Sequence, residues 1–168
     1  MKTIGLLGGM SWESTAEYYR LANELVRDQL GGLHSAEILM YSVDFAEIEA
    51  MQVEGRWDDA GKLLAEAAER LQGSGADLIV LCTNTMHKVA ARIEAAVSVP
   101  FVHLGDTTAE AVKAAGITRV GLLGTIFTME QEFYVDRLTA HGLDVVLPRP
   151  DDRQRISQII YDELCLGV

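Results

Sequence analysis

The residue types best suited to chemistry gather in one short stretch, Cys82-Thr83-Asn84-Thr85, directly after the apolar run Leu78-Ile79-Val80-Leu81. Such a run reads as a strand covered on both faces of a parallel sheet. Ligands of open α/β sheets bind at the carboxyl ends of the strands. A following helix would add free N–H groups and a partial positive charge, which suit a carboxylate and lower a thiol pKa. The pattern therefore predicts a carboxylate cradle of Thr83, Asn84 and Thr85 beside a thiolate at Cys82. The competing reading is a buried structural cysteine followed by an ordinary polar helix start. A second strand end carries Gly8-Gly9-Met10-Ser11. Paired glycines let backbone N–H groups approach a ligand closely, although a tight strand-to-helix turn accounts for them almost as well. The spacing is not that of a dinucleotide fingerprint, and the lysine of a phosphate loop is missing. Neither a metal nor a cofactor is expected.

Alternating elements position these residues. Strands are predicted at residues 3–7, 36–43, 78–81, 99–103, 120–123 and 145–147. Helices are predicted at 14–30, 57–71, 86–97, from Thr107 to a close at Gly116, at about 128–140 and at 156–166, with capping boxes at Ser14/Glu17 and Thr107/Glu110. Apolar residues at 60, 63, 64, 67, 68 and 71 give the helix at 57–71 one buried face. Strands alternating with crossover helices mean an α/β fold with mainly parallel sheets.

The chain also repeats itself. Gly5-Leu6-Leu7-Gly8 recurs as Gly121-Leu122-Leu123-Gly124, 116 residues later, and Tyr18 matches Tyr134 at the same offset. A strand and then a helix follow in both copies. The order predicts two pseudo-symmetric lobes, residues 1–98 with Cys82 and residues 99–168. It also predicts that the second lobe is incomplete, stopping before the strand that would duplicate 78–82. A sheet lacking a strand has an unpaired edge, so a partner chain or a swapped segment is expected there. Thr125 ends the duplicate strand, and a pseudo-twofold axis would turn it toward the same cleft.

Composition sets limits. The 168 residues are 49% apolar and 23% charged, the profile of a globular protein. A net charge of −11 argues against a nucleic-acid partner. No run approaches the length of a membrane span, and Trp12, Glu13 and Glu17 break the early apolar run too soon for a signal peptide. Two cysteines make no disulfide framework, so a reducing cytoplasm is the expected compartment.

Three segments together, Lys2–Ser11, Cys82-Thr83-Asn84-Thr85-Met86-His87 and Gly121–Thr125, resemble the aspartate/glutamate racemase family, nearest its broad-specificity members. The resemblance runs over the whole chain. It implies a two-lobed α/β protein, commonly dimeric, that racemises amino acids without pyridoxal phosphate. Two cysteines on opposite faces of Cα exchange its proton. By the resemblance Cys82 is one thiol, Thr83, Asn84 and Thr85 hold the α-carboxylate, and the other thiol belongs to a strand after Val168. Cys165 reads as a packing residue of the last helix. Aspartate-specific members bind the second carboxylate with an Arg after the second strand and a Lys in a later helix. Here residues 33–55 and 156–168 contain neither Lys nor Arg, and the Lys position falls on Leu164. That departure predicts a neutral or hydroxylated substrate, or broad specificity, with Met10, Ser11, Ser42, Gln52 and Thr125 as candidate contacts. The alternatives are a single-cysteine decarboxylase or isomerase of small acids and a non-catalytic carboxylate-binding module. His87 and His103 are weaker candidates for the cleft.

Overall fold

A computed structural model describes residues 1–168 as two compact units. The first comprises Met1–Thr83 and Val89–Val102; the second comprises Asn84–Lys88 and His103–Val168. The chain passes between the units after Thr83, Lys88 and Val102.

In the first unit, β1 (Ile4–Gly8), β2 (Ile38–Ser42), β3 (Leu78–Leu81) and β4 (Phe101–Val102) form one sheet in the order β2-β1-β3-β4. Every pairing is parallel, with Leu7 opposite Tyr41 on one side and Leu81 on the other. The crossovers are α1 (Trp12–Leu30), α2 (Phe45–Val53), α3 (Trp57–Gly73) and α4 (Ala90–Ala96). Helix α3 buries Ala60, Leu64, Ala67, Ala68 and Leu71, the face set by its 3.6-residue period, while Leu63 is half-buried. Leu7, Ile79 and Leu81 of the sheet and Ile93 of α4 are fully buried. Each such side chain contributes about 1.5–3 kcal/mol of burial.

The second unit holds β5 (Arg119–Gly121) and β6 (Asp144–Val146), paired in parallel as a two-stranded sheet. Its helices are α5 (Leu104–Ala114), α6 (Ile126–Glu130), α7 (Glu132–Ala140) and α8 (Pro150–Asp162). Ala109, Tyr134, Leu138 and Leu143 make the core, with Val120, Leu122 and Val145 packed against it.

The α/β class with parallel sheets is as the sequence implies, but several local readings need correction. Helix α1 starts at Trp12, and Ser14 makes no capping box: its Oγ donates to the Ser11 carbonyl at 3.0 Å. Helix α5 starts at Leu104 and is capped by His103, whose Nδ1 accepts from Gly105 N–H at 3.1 Å, so Thr107 lies inside it. Both starts lie nearer the preceding strand than the hydroxyl pattern suggests. Residues 45–53, to which the sequence pattern assigns no element, form α2, because the Asp44 carboxylate accepts from Ala46 N–H and caps it. The stretch 86–97 is a 3-10 turn, Thr85–Val89, followed by the short α4. The helix predicted at 128–140 is broken in two at Gln131, which leaves helical geometry. The last helix begins at Pro150, a residue suited to a first helical position, and gives way to a 3-10 turn at Leu164–Leu166.

Candidate active site

Cys82 stands one residue past β3, an inner strand of the four-stranded sheet. Its N–H donates to the Leu7 carbonyl at 2.9 Å, so the pairing with β1 continues through it. The Ser14 hydroxyl reaches the Cys82 carbonyl at 3.3 Å and the Ser11 carbonyl at 3.0 Å. One side chain of α1 therefore ties the ends of β1 and β3 together. Thr15, buried beside it, accepts from Gly9 N–H at 2.9 Å. Glycine is required twice in this turn. A methyl at Gly8 would lie 2.3 Å from Thr15 Cγ2, and Gly9 has φ +95° with the Val43 carbonyl at 2.3 Å from any added Cβ. Met10 is buried, and Ser11 is half-buried at the start of α1.

The thiol does not have the depressed pKa that the sequence suggested. Cys82 is wholly buried and its Sγ–H points at the Val80 carbonyl, 3.7 Å away. Burial pushes the thiol up to about 12. The expected helix field is weak, because a 3-10 turn and only a seven-residue helix follow. A resting, protonated thiol can deliver a proton, and it becomes a base only when a nearby cation favours the thiolate.

The cradle residues continue the chain. Thr83 is half-buried and Asn84 exposed, the latter's carbonyl accepting from His87 N–H at 3.0 Å. Thr85 is buried in the second unit, where its Oγ1 lies 2.8 Å from Thr125 Oγ1. Thr125 is the N-cap of α6, its hydroxyl accepting from Thr128 N–H. Gln52 is 3% exposed inside α2. Ser42 ends β2 and is exposed. The sequence missed Ser14, Thr15 and Thr128. Their only signal is spacing, three and four residues beyond Ser11 and three beyond Thr125, the reach of one helical turn.

His87 and His103 are structural acceptors. His87 is buried and its Nε2 accepts from Leu104 N–H at 3.1 Å, while its ring meets His103 edge-on at 4.4 Å between centroids. Cys165 sits in the terminal 3-10 turn, and neither cysteine is in a disulfide. No group of three or more His, Cys, Asp or Glu side chains is arranged to hold a metal. No helix is long and apolar enough to cross a membrane.

A parallel α/β unit with a thiol and small polar residues at its inner strand ends belongs to the class of open α/β proteins that take ligands at the carboxyl edge of the sheet. Comparison with known proteins narrows that class. The Asp/Glu/hydantoin racemase family model matches residues 7–166. The crystal structure of a protein assigned as an Asp/Glu racemase from Yersinia pestis is 57% identical, with a TM-score of 0.91 over 100% of this chain and 74% of that one. An aspartate racemase homologue from Pyrococcus horikoshii OT3 is 36% identical, with a TM-score of 0.85 over 99% and 73%. The broad specificity amino-acid racemase RacX of Bacillus subtilis is 25% identical over 94% of this chain and 69% of its own. The chain belongs to the Asp/Glu/hydantoin racemase family. It is an isomerase of the racemase type, a family acting on small amino-acid substrates.

Proposed function

We propose that this chain supplies the Cys82 half of a two-thiol amino-acid racemase that works without pyridoxal phosphate. The carrying observation is a cysteine wholly buried at the end of an inner strand, its backbone fixed by Leu7 and Ser14. Racemisation needs an acid/base group on each face of Cα and stabilisation of the charge that develops when the proton leaves. In this reading Cys82 serves one face. Thr83, Asn84, Thr85 and Thr125 hold the α-carboxylate as hydrogen-bond donors. The substrate's ammonium group offsets the cost of ionising a buried thiol, so the thiolate forms when substrate arrives and reverts when it leaves. A second acid/base group is needed for the other face of Cα.

Residues 33–55 and 156–168 contain no Lys or Arg, which supports a neutral or hydroxylated substrate, or broad specificity. Met10, Ser11, Ser42 and Gln52 are the proposed side-chain contacts. A dimer or segment-swapped assembly in a reducing cytoplasm completes the proposal. Trp12, Tyr19 and Leu25 of α1, 65%, 51% and 61% exposed, are apolar surface that such an assembly would cover.

The test is to incubate alanine, serine and aspartate with the protein in deuterated water and follow Cα exchange and appearance of the opposite enantiomer. Exchange that disappears in Cys82→Ser is the expected result. Undiminished exchange in that variant, or none in a version carrying both thiols, would sink the proposal. A second reading, a single-thiol decarboxylase or diacid isomerase, is favoured by the presence of one strand-end cysteine. Turnover of malonate- or maleate-like diacids with no amino-acid exchange would establish it instead.

A further inference from the structure

Three threonine hydroxyls in the second unit close into a ring. Thr85 Oγ1 lies 2.8 Å from Thr125 Oγ1 and 3.3 Å from Thr128 Oγ1, and the last two are 3.2 Å apart. Each hydroxyl has one proton and two lone pairs, so the closed ring uses all three protons internally. The Thr128 N–H also donates to Thr125 Oγ1, at 3.3 Å.

An anion can take a proton from this ring only if one contact opens. Thr128 is 2% exposed and Thr85 6%, whereas Thr125 is half-buried. The outward proton therefore falls to Thr125. One arrangement then keeps the buried members paired. Thr128 donates to Thr85, and Thr85 donates to Thr125 across the shortest contact. Thr125, its lone pairs filled by Thr85 and by Thr128 N–H, donates outward. Hydrogen bonds in such a chain polarise one another and strengthen the terminal donor.

We propose that Thr128 is a positioning residue: its buried hydroxyl does not touch the ligand but sets the direction of the ring, so that Thr125 presents its proton to a carboxylate. This rests on the reading of Thr85 and Thr125 as carboxylate holders. It adds a residue whose alternative role is simple packing, since a methyl at Gly124 would lie 3.1 Å from Thr128 Cβ and Cγ2.

The two roles give opposite orders of damage. Thr128→Val keeps the shape and loses the hydroxyl, while Thr128→Ser keeps the hydroxyl and loses a methyl. Affinity for L-serine and for L-aspartate is measured by titration calorimetry, with thermal melting to report the fold and Thr125→Val as a reference. Thr128→Val should weaken both amino acids by the same factor, about fivefold, the net worth of one neutral hydrogen bond. Thr128→Ser should stay within about twofold of wild type. The reverse order, serine impaired and valine normal, makes Thr128 a packing residue and overturns the proposal. If Thr125→Val binds weakly while Thr128→Val matches wild type, the positioning role alone fails. Normal binding by Thr125→Val, or no binding by wild type, removes the carboxylate reading and this inference with it. Should Thr128→Val not fold, Thr128→Ala and Thr128→Ser, which differ only in the hydroxyl, decide the same question.

Discussion

The four letters Gly-Leu-Leu-Gly occur in both units and lead different lives. In β1, Leu6 and Leu7 are 2% and 0% exposed; in and after β5, Leu122 is half-buried and Leu123 is 68% exposed. A methyl at Gly5 would lie 2.8 Å from Ile79 Cδ1 and 2.9 Å from Ala76 Cβ, whereas one at Gly121 would meet nothing within 4 Å. The difference follows from neighbours. β1 has a strand on each side, and β5 has only β6. A strand motif thus specifies a strand and a turn, while burial comes from what pairs and packs around it.

The sharpest test of this contrast is chemical. If reactivity belongs to the enclosed strand end, Cys82→Ser should lower Cα exchange about 1000-fold, the middle of the range for losing a proton-transfer group, with the melting temperature little changed. Next is packing. Leu7→Ala should cost about 3 kcal/mol in urea unfolding, and Leu123→Ala less than about 0.5 kcal/mol. Equal costs would erase the distinction between the units. Gly5→Ala should then cost about 2 kcal/mol through overpacking, with Gly121→Ala close to neutral by the same measurement.

The units should also fail at opposite ends of the pH scale. The Cys82 thiol is raised from its ordinary value of 9.0 to about 12 by burial. Between those values the folded chain holds a proton that the unfolded chain has lost, so stability falls as pH rises, by about 1.4 kcal/mol per pH unit. Cys82→Ala should remove that slope. In the second unit, Arg137 donates to both oxygens of Asp106 at 2.6 and 2.5 Å, and His141 Nε2 lies 2.8 Å from it. The Arg137 hydrogen bonds hold the Asp106 carboxyl well below its ordinary 3.8. Its contribution is present above that value and is lost as pH falls through the lower, folded-state value. Asp106→Asn should therefore flatten the acid limb and cost about 1 kcal/mol at neutral pH, the smallest of these effects. Chemical unfolding followed from pH 3 to 10.5 measures the onset of both limbs.

Much of the frame is legible in the letters. Period-3.6 apolar residues give α3, the all-apolar run Leu78–Leu81 gives β3 residue for residue, and the repeat gives the same parallel pairing of successive strands in both units. Gln52 shows where such reading stops. Its neighbours Met51 and Val53 are apolar but follow no one-sided helical period, so nothing in the letters says which way a polar Gln52 faces, and α2 turns it inward to 3% exposure. Helix starts were misread for a related reason. Ser14 has the spacing of a cap, but a carbonyl from β3, 68 residues away, competes for its hydroxyl.

Sequence by itself determined the parallel α/β plan, the strand-end position of Cys82 and the family, because these rest on local periodicity and short motifs that act along the chain. Tertiary structure alone decided that the Cys82 thiol is sealed and protonated, that Ser14 ties two strand ends together, and that Thr85 meets Thr125 and Thr128. Those facts depend on dielectric surroundings and on hydrogen bonds between residues up to 68 positions apart, and no periodicity encodes such distances.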